Sequence, residues 1–124
     1  MILVLALGFE QTHAATNRVN RLITVTSGTP VRISSVVPSL ATELFVQMAA
    51  GGSGKGYVML GIPDGVTPSS SNAAQVTAEL APATSTAPGG SLTDAPPQGL
   101  DVSQAWVDGS NSGDTIRVSY LLKI

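Results

Sequence analysis

The chain has no cysteine, a single histidine and few charges, and each shortage removes a class of function. Without cysteine there is no disulfide framework, no thiolate zinc site and no cysteine nucleophile. The histidine, His13, lies near the N-terminus, whereas a Ser/His/acid triad needs an imidazole held between two fixed partners. Charged residues make up 11% of the chain, against roughly 25% in average soluble domains. The six basic residues are scattered at Arg18, Arg21, Arg32, Lys55, Arg117 and Lys123, and the formal net charge is −2. Nucleic-acid binders need clustered cations to displace counterions from phosphates, so no nucleic-acid partner is expected. No stretch approaches the roughly 20 apolar residues of a membrane helix, so no membrane partner is expected either.

What the chain does have is apolar residues, 43% of its 124 positions, arranged in short runs. That length suits one domain with a single core. High apolar content with little charge implies either a surface partly covered by partners or a weakly charged monomer. The runs carry strand signals: residues 21–26 (RLITVT), 31–37 (VRISSVV, stopped by Pro38), 40–48 (LATELFVQM), 57–62 (YVMLGI), 75–80 (QVTAEL), 104–107 (QAWV) and 115–124 (TIRVSYLLKI). In the last, Ile116, Val118, Tyr120, Leu122 and Ile124 share one face, the period-2 pattern of a half-buried strand. No stretch keeps a helical period. About seven or eight short strands separated by turn signals predict an all-β, single-domain β-sandwich, jelly-roll-like.

Two segments depart from this pattern. Residues 1–9 (MILVLALGF) are apolar but lack the basic n-region of a signal peptide, and they read as an N-terminal strand or arm. The division expected is an N-terminal arm or edge strand over residues 1–20 and a sandwich over 21–124. Residues 81–99 hold Pro82, Pro88, Pro96 and Pro97 with three glycines, which predicts a long Pro/Gly-rich irregular loop.

Several motifs resemble chemistry. GGSGKG (residues 51–56) invites comparison with a phosphate loop. A G-x-x-x-x-G-K-[ST] pattern, however, needs glycine where Ala49 stands and a hydroxyl where Gly56 stands. The loop reads as a turn between strands. DGSNSGD (residues 108–114) resembles a calcium loop, but its third, fifth and twelfth positions are Ser110, Ser112 and Ser119. Asp and Asn close turns with their own side chains, which accounts for the segment. Paired carboxylates for glycoside hydrolysis would have to come from Glu43, Asp64, Glu79, Asp94, Asp101, Asp108 and Asp114, most of which fall in turns. The expectation is a non-enzyme with no cofactor and no metal.

Four stretches together resemble the head decoration, or cement, proteins of tailed bacteriophages: residues 23–34 (ITVTSGTPVRIS), 51–65 (GGSGKGYVMLGIPDG), 77–94 (TAELAPATSTAPGGSLTD) and 100–120 (LDVSQAWVDGSNSGDTIRVSY). Their order and the glycine-rich loop before YVM carry the likeness, which covers roughly residues 22–124. The resemblance implies a β-sandwich, often a jelly roll, seated as trimers on the outer surface of the virion capsid. It makes the major capsid protein the partner, with neighbouring capsomers bridged. No ligand motif defines the family, so it transfers no site residues. Interface candidates come instead from the chain itself: Ile2, Leu3, Val4, Leu5 and Phe9 in the arm; Pro88, Leu92, Pro96 and Pro97 in the loop; and Trp106, as a core or interface anchor. The alternative is a tail- or fibre-associated β-sandwich that binds host glycans, which would need exposed aromatics beside polar side chains.

Overall fold

The structure, a computed structural model, describes residues 17–123. The strands are β1 (Arg18–Thr24), β2 (Val31–Arg32), β3 (Leu40–Met48), β4 (Gly56–Met59), β5 (Ala78–Leu80), β6 (Ser91–Asp94), β7 (Leu100–Asp101), β8 (Trp106–Gly109) and β9 (Thr115–Leu122). A 3-10 turn, Val102–Gln104, links β7 to β8.

Alternation drives the two sheets together. In β3, Leu44, Val46 and Met48 are buried, and in β9 so are Ile116, Val118 and Tyr120. The two strands are antiparallel, with Leu44 opposite Tyr120, Val46 opposite Val118 and Met48 opposite Ile116, so the apolar faces coincide. β1 joins the other edge of β9, and β6 and β7 pair with β3, giving the order β1-β9-β3-β6. The second sheet runs β2-β8-β4-β5, with Val58 opposite Val107 and Val107 opposite Val31. Successive strands hop between the sheets (β1 to β2, β3 to β4, β5 to β6, β8 to β9), the double Greek-key path of a jelly roll. The two inner faces meet in one apolar cluster that includes Ile23, Ile33, Leu44, Val46, Val58, Val107, Ile116 and Val118.

The strands expected over 57–62 and 75–80 shorten to Gly56–Met59 and Ala78–Leu80, and four other expectations need correction. The strand expected over 21–26 runs from Arg18 to Thr24, because Arg18, Val19 and Asn20 find partners in Leu121, Tyr120 and Ser119 although two of the three are polar. Residues 18–20 are therefore part of a strand at the end of the β1-β9-β3-β6 sheet. The strand expected over 31–37 ends at Arg32. The loop expected over 81–99 contains β6, whose Leu92 faces Val46 and packs on the core; the prolines flank this strand and do not interrupt it. The strand expected over 104–107 begins at Trp106, after the 3-10 turn.

Candidate interaction surface

The two motifs that resemble ion-binding loops meet each other. Asp114 Oδ2 accepts the backbone N–H of Gly54 at 2.8 Å and of Ser53 at 3.3 Å. Ser110 Oγ accepts from Lys55 N at 2.8 Å, and Asn111 Nδ2 donates to Ser53 Oγ at 3.0 Å. A Cβ on Gly52 would lie 2.6 Å from Asp114 Cγ, and one on Gly54 would lie 2.6 Å from Ser110 Oγ. The glycines thus serve close approach: they let the carboxylate press onto the turn. GGSGKG does cradle an anion through its backbone donors, and the anion is the chain's own Asp114. Lys55 reaches outward to Glu79 at 3.5 Å, both side chains being more than half exposed.

Trp106 lies half-buried on the outer face of the β2-β8-β4-β5 sheet, not within the sandwich. The Arg32 guanidinium sits over its ring, 5.0 Å from the centroid, and also reaches Asp64 at 3.8 Å. Pro30, Val66 and Pro68 complete an open groove of about 410 Å³ beside it. Next to this groove, Asp108 is buried and accepts from Ser70 Oγ at 2.7 Å, pinning the 60–77 connection to the sheet.

The most unusual surface follows β2. Ser34 and Ser39 are 7% and 6% exposed, whereas Val36 and Val37 between them are 67% and 50% exposed. Pro38 is exposed, and Leu40, first in β3, is 46% exposed. Hydrogen bonding causes the inversion. Ser34 Oγ and Ser39 Oγ are 2.9 Å apart, Ser39 Oγ also donates to the Val36 carbonyl, and Val36 N donates to Ser34 Oγ at 3.3 Å. With its hydroxyls bonded inward, the segment turns its valines to water. Asp101 anchors it: one carboxylate oxygen accepts from Ser39 N at 3.0 Å, Ser103 N at 2.9 Å and Ser103 Oγ at 2.6 Å. Partial burial pushes this carboxyl's pKa up. The hydrogen bonds from the Ser103 side chain and the Ser39 and Ser103 backbones, with the Arg32 charge, outweigh that and hold it below the ordinary 3.8.

No family model matches the chain, and no curated protein matches it. Its fold is similar to the coat protein of Tobacco streak virus, solved as a dimer. The likeness has a TM-score of 0.40 and 8% identity, over 87% of this chain and 88% of that one.

The residues expected at an interface divide into three groups. Ile2, Leu3, Val4, Leu5 and Phe9 lie outside the described residues. Pro88 and Pro97 are exposed and Pro96 is half-buried, on the two sides of β6, while Leu92 turns inward to the core. Trp106 is separate from these, on the opposite sheet. Sequence reasoning missed Val36, Val37 and Leu40 by reading the first two as strand interior. The signal was present in SSVVPS: two adjacent valines cannot share one face of a strand, and serine and proline flank them. Among the described residues, no group of three or more His, Cys, Asp or Glu side chains could hold a metal ion.

Proposed function

We propose that this chain is a structural virion protein that binds the outer surface of a phage capsid and stabilises it by bridging neighbouring capsomers as a trimer. The observation that carries the reading is the 34–40 segment, which buries its serines and displays Val36, Val37 and Leu40. Contiguous apolar surface held in a fixed conformation is what a permanent protein partner covers. The jelly roll alone decides little, since capsid, lectin and cupin domains share it. A stacking site for sugars would use Trp106, but Arg32 already occupies one face of that ring. The resemblance of residues 22–124 to head decoration proteins supplies the partner, the major capsid protein.

On this reading the work is mechanical. Apolar contact through Val36, Val37 and Leu40 and through the arm residues 1–9, with the loop prolines Pro88, Pro96 and Pro97, ties each subunit to its sisters and the oligomer to adjacent capsomers. A standard-sized interface removes about 1,600 Å² from water, and a symmetric shell repeats it many times.

Light scattering at micromolar concentration, with and without heads of the cognate phage, tests the proposal. The expected result is a stable trimer that co-sediments with heads at fixed stoichiometry. A monomer that ignores heads refutes it.

A further inference from the structure

We propose that the seam between the two sheets, alongside β1, is the seat of residues 2–7 of a second copy of this chain, so that protomers exchange N-terminal arms. The inference rests on the homo-oligomeric part of the reading above and names the contact that makes the oligomer.

The seam is shaped for an extended segment. Two depressions, of about 290 and 400 Å³, adjoin there and share Ser34, Val36 and Tyr120. Val19 and Leu122 line the larger one, with Lys123 beside them. Arg21 lines the smaller one, where it donates to the carbonyls of Arg32 (3.1 Å) and Ile33 and ties the sheets together. The rim is β1 itself, an end strand among the described residues. At seven residues it is the longest sheet edge, against two in β2, three in β5 and four in β6. A free edge of that length offers a row of backbone donors and acceptors to an incoming strand, and pockets beside it take alternate side chains.

The occupant is read from the rest of the chain. Residues 2–7, ILVLAL, are a short aliphatic run rich in β-compatible side chains. The described residues begin at Asn17, two positions before Val19 at the larger depression. Residues 8–17 join the run to that point and span at most about 35 Å when extended. To lie along its own β1, the run would have to reverse through residues 8–17, whereas hairpin connections are usually about 2–5 residues. Pairing with a neighbour's β1 involves no such hairpin closure. In a closed ring, each groove receives one arm and none stays empty. Glu10 follows the run in sequence and Lys123 stands at the groove, so the charges are complementary.

The chain has no cysteine, so engineered thiols report without background. Leu5→Cys and Val36→Cys are made as separate full-length proteins, mixed at micromolar concentration, allowed to exchange, and oxidised. The expected result is a mixed disulfide, joining position 5 of one copy to position 36 of another, at least tenfold more abundant than either self-linked product. Equal or absent mixed product overturns the inference. In a third protein carrying both substitutions, a cross-link confined to the monomer band also overturns it, because the arm then folds onto its own groove. Deleting residues 2–7 should raise the oligomer's dissociation constant by about 100-fold or more, the equivalent of two buried aliphatic side chains. Light scattering of the unmodified chain separates the two proposals. An oligomer that persists without the mixed cross-link removes arm exchange alone, and a monomer that binds no heads removes both.

Discussion

Asp114→Ala is the sharpest test of how the two glycine-rich loops hold each other. The carboxylate accepts one short hydrogen bond, 2.8 Å from Gly54 N, and one long bond, 3.3 Å from Ser53 N. Gly54 is buried, so losing the acceptor leaves an unsatisfied backbone donor away from water. A hydrogen bond to a charged group contributes about 1.5–3 kcal/mol, and an orphaned buried donor costs about 1–3 kcal/mol. Ser53 is exposed, and water replaces the longer bond there at little cost. The net expectation is about 2–3 kcal/mol, a large part of the roughly 5–15 kcal/mol that holds a domain together. That corresponds to a fall in Tm of close to 10 °C. Urea unfolding followed through Trp106, the single tryptophan, measures it. Asp114→Asn keeps a carbonyl oxygen and should lose about half as much. Formate should restore part of the stability of Asp114→Ala and none to the parent, because the vacated donors form an anion nest. If Asp114→Ala stays within about 0.5 kcal/mol of the parent, the usual range for surface changes, the clasp is not what holds these loops.

Asp101 should give stability a pH dependence. Its carboxyl is held below 3.8 when folded, so the unfolded chain binds the proton more tightly. The stabilisation is complete above about pH 4 and is lost as pH falls through the folded-state value, and Asp101→Asn should flatten that limb of a Tm-versus-pH curve. An unchanged limb would place the acid sensitivity elsewhere. Ser39→Ala removes a buried hydroxyl that bonds the Val36 carbonyl and Ser34 Oγ. It should cost about 1–3 kcal/mol in urea unfolding, and a loss under about 0.5 would show that the inverted segment does not depend on that bond. Val36→Ser with Val37→Ser should leave monomer stability within about 0.5 kcal/mol, since both side chains are exposed, while lowering occupancy on phage heads. Full occupancy would remove these valines from the proposed interface. Arg32→Ala should uncover Trp106 and raise its quenching by acrylamide, and unchanged quenching would mean that Arg32 does not shield the ring.

The sheets were largely legible because their signal is periodic. In residues 40–48 and 115–122 the alternation of apolar and polar residues maps directly onto buried and exposed faces. What escaped was whatever tertiary pairing decides. Arg18 and Asn20 look like linker residues and become strand because β9 lies beside them. Ser91–Asp94 sits among prolines and becomes strand because β3 offers its free edge. The loop-to-loop clasp could not be read either, since residues 51–56 and 108–114 are far apart in sequence and only the fold brings them together. Each motif alone was explicable as a turn. What sequence could not supply is that one provides the anion for the other.

The inverted segment was missed for a further reason, and that reason bears on function. Sequence patterning assumes that valine goes in and serine goes out, and the 34–40 segment does the opposite. Two hydroxyls can be buried there because they bond to each other, to the Val36 carbonyl and to Val36 N–H, so their desolvation is offset within the segment. The exposed valines then carry an apolar cost that the monomer does not recover. Burying a valine removes about 1.5 kcal/mol of that cost, so Val36, Val37 and Leu40 together offer a few kcal/mol per copy, well short of tight binding alone. Linking copies changes the arithmetic: once one subunit of an oligomer is seated, the others bind at high effective concentration, and avidity can exceed the single-site affinity by about 10²–10⁴-fold. A small, rigid apolar tip of this kind is therefore more useful to an oligomer on a repeating lattice than to a lone binding domain. On the capsid-binding proposal, single-copy and oligomer affinity for heads, compared by co-sedimentation, should differ by orders of magnitude.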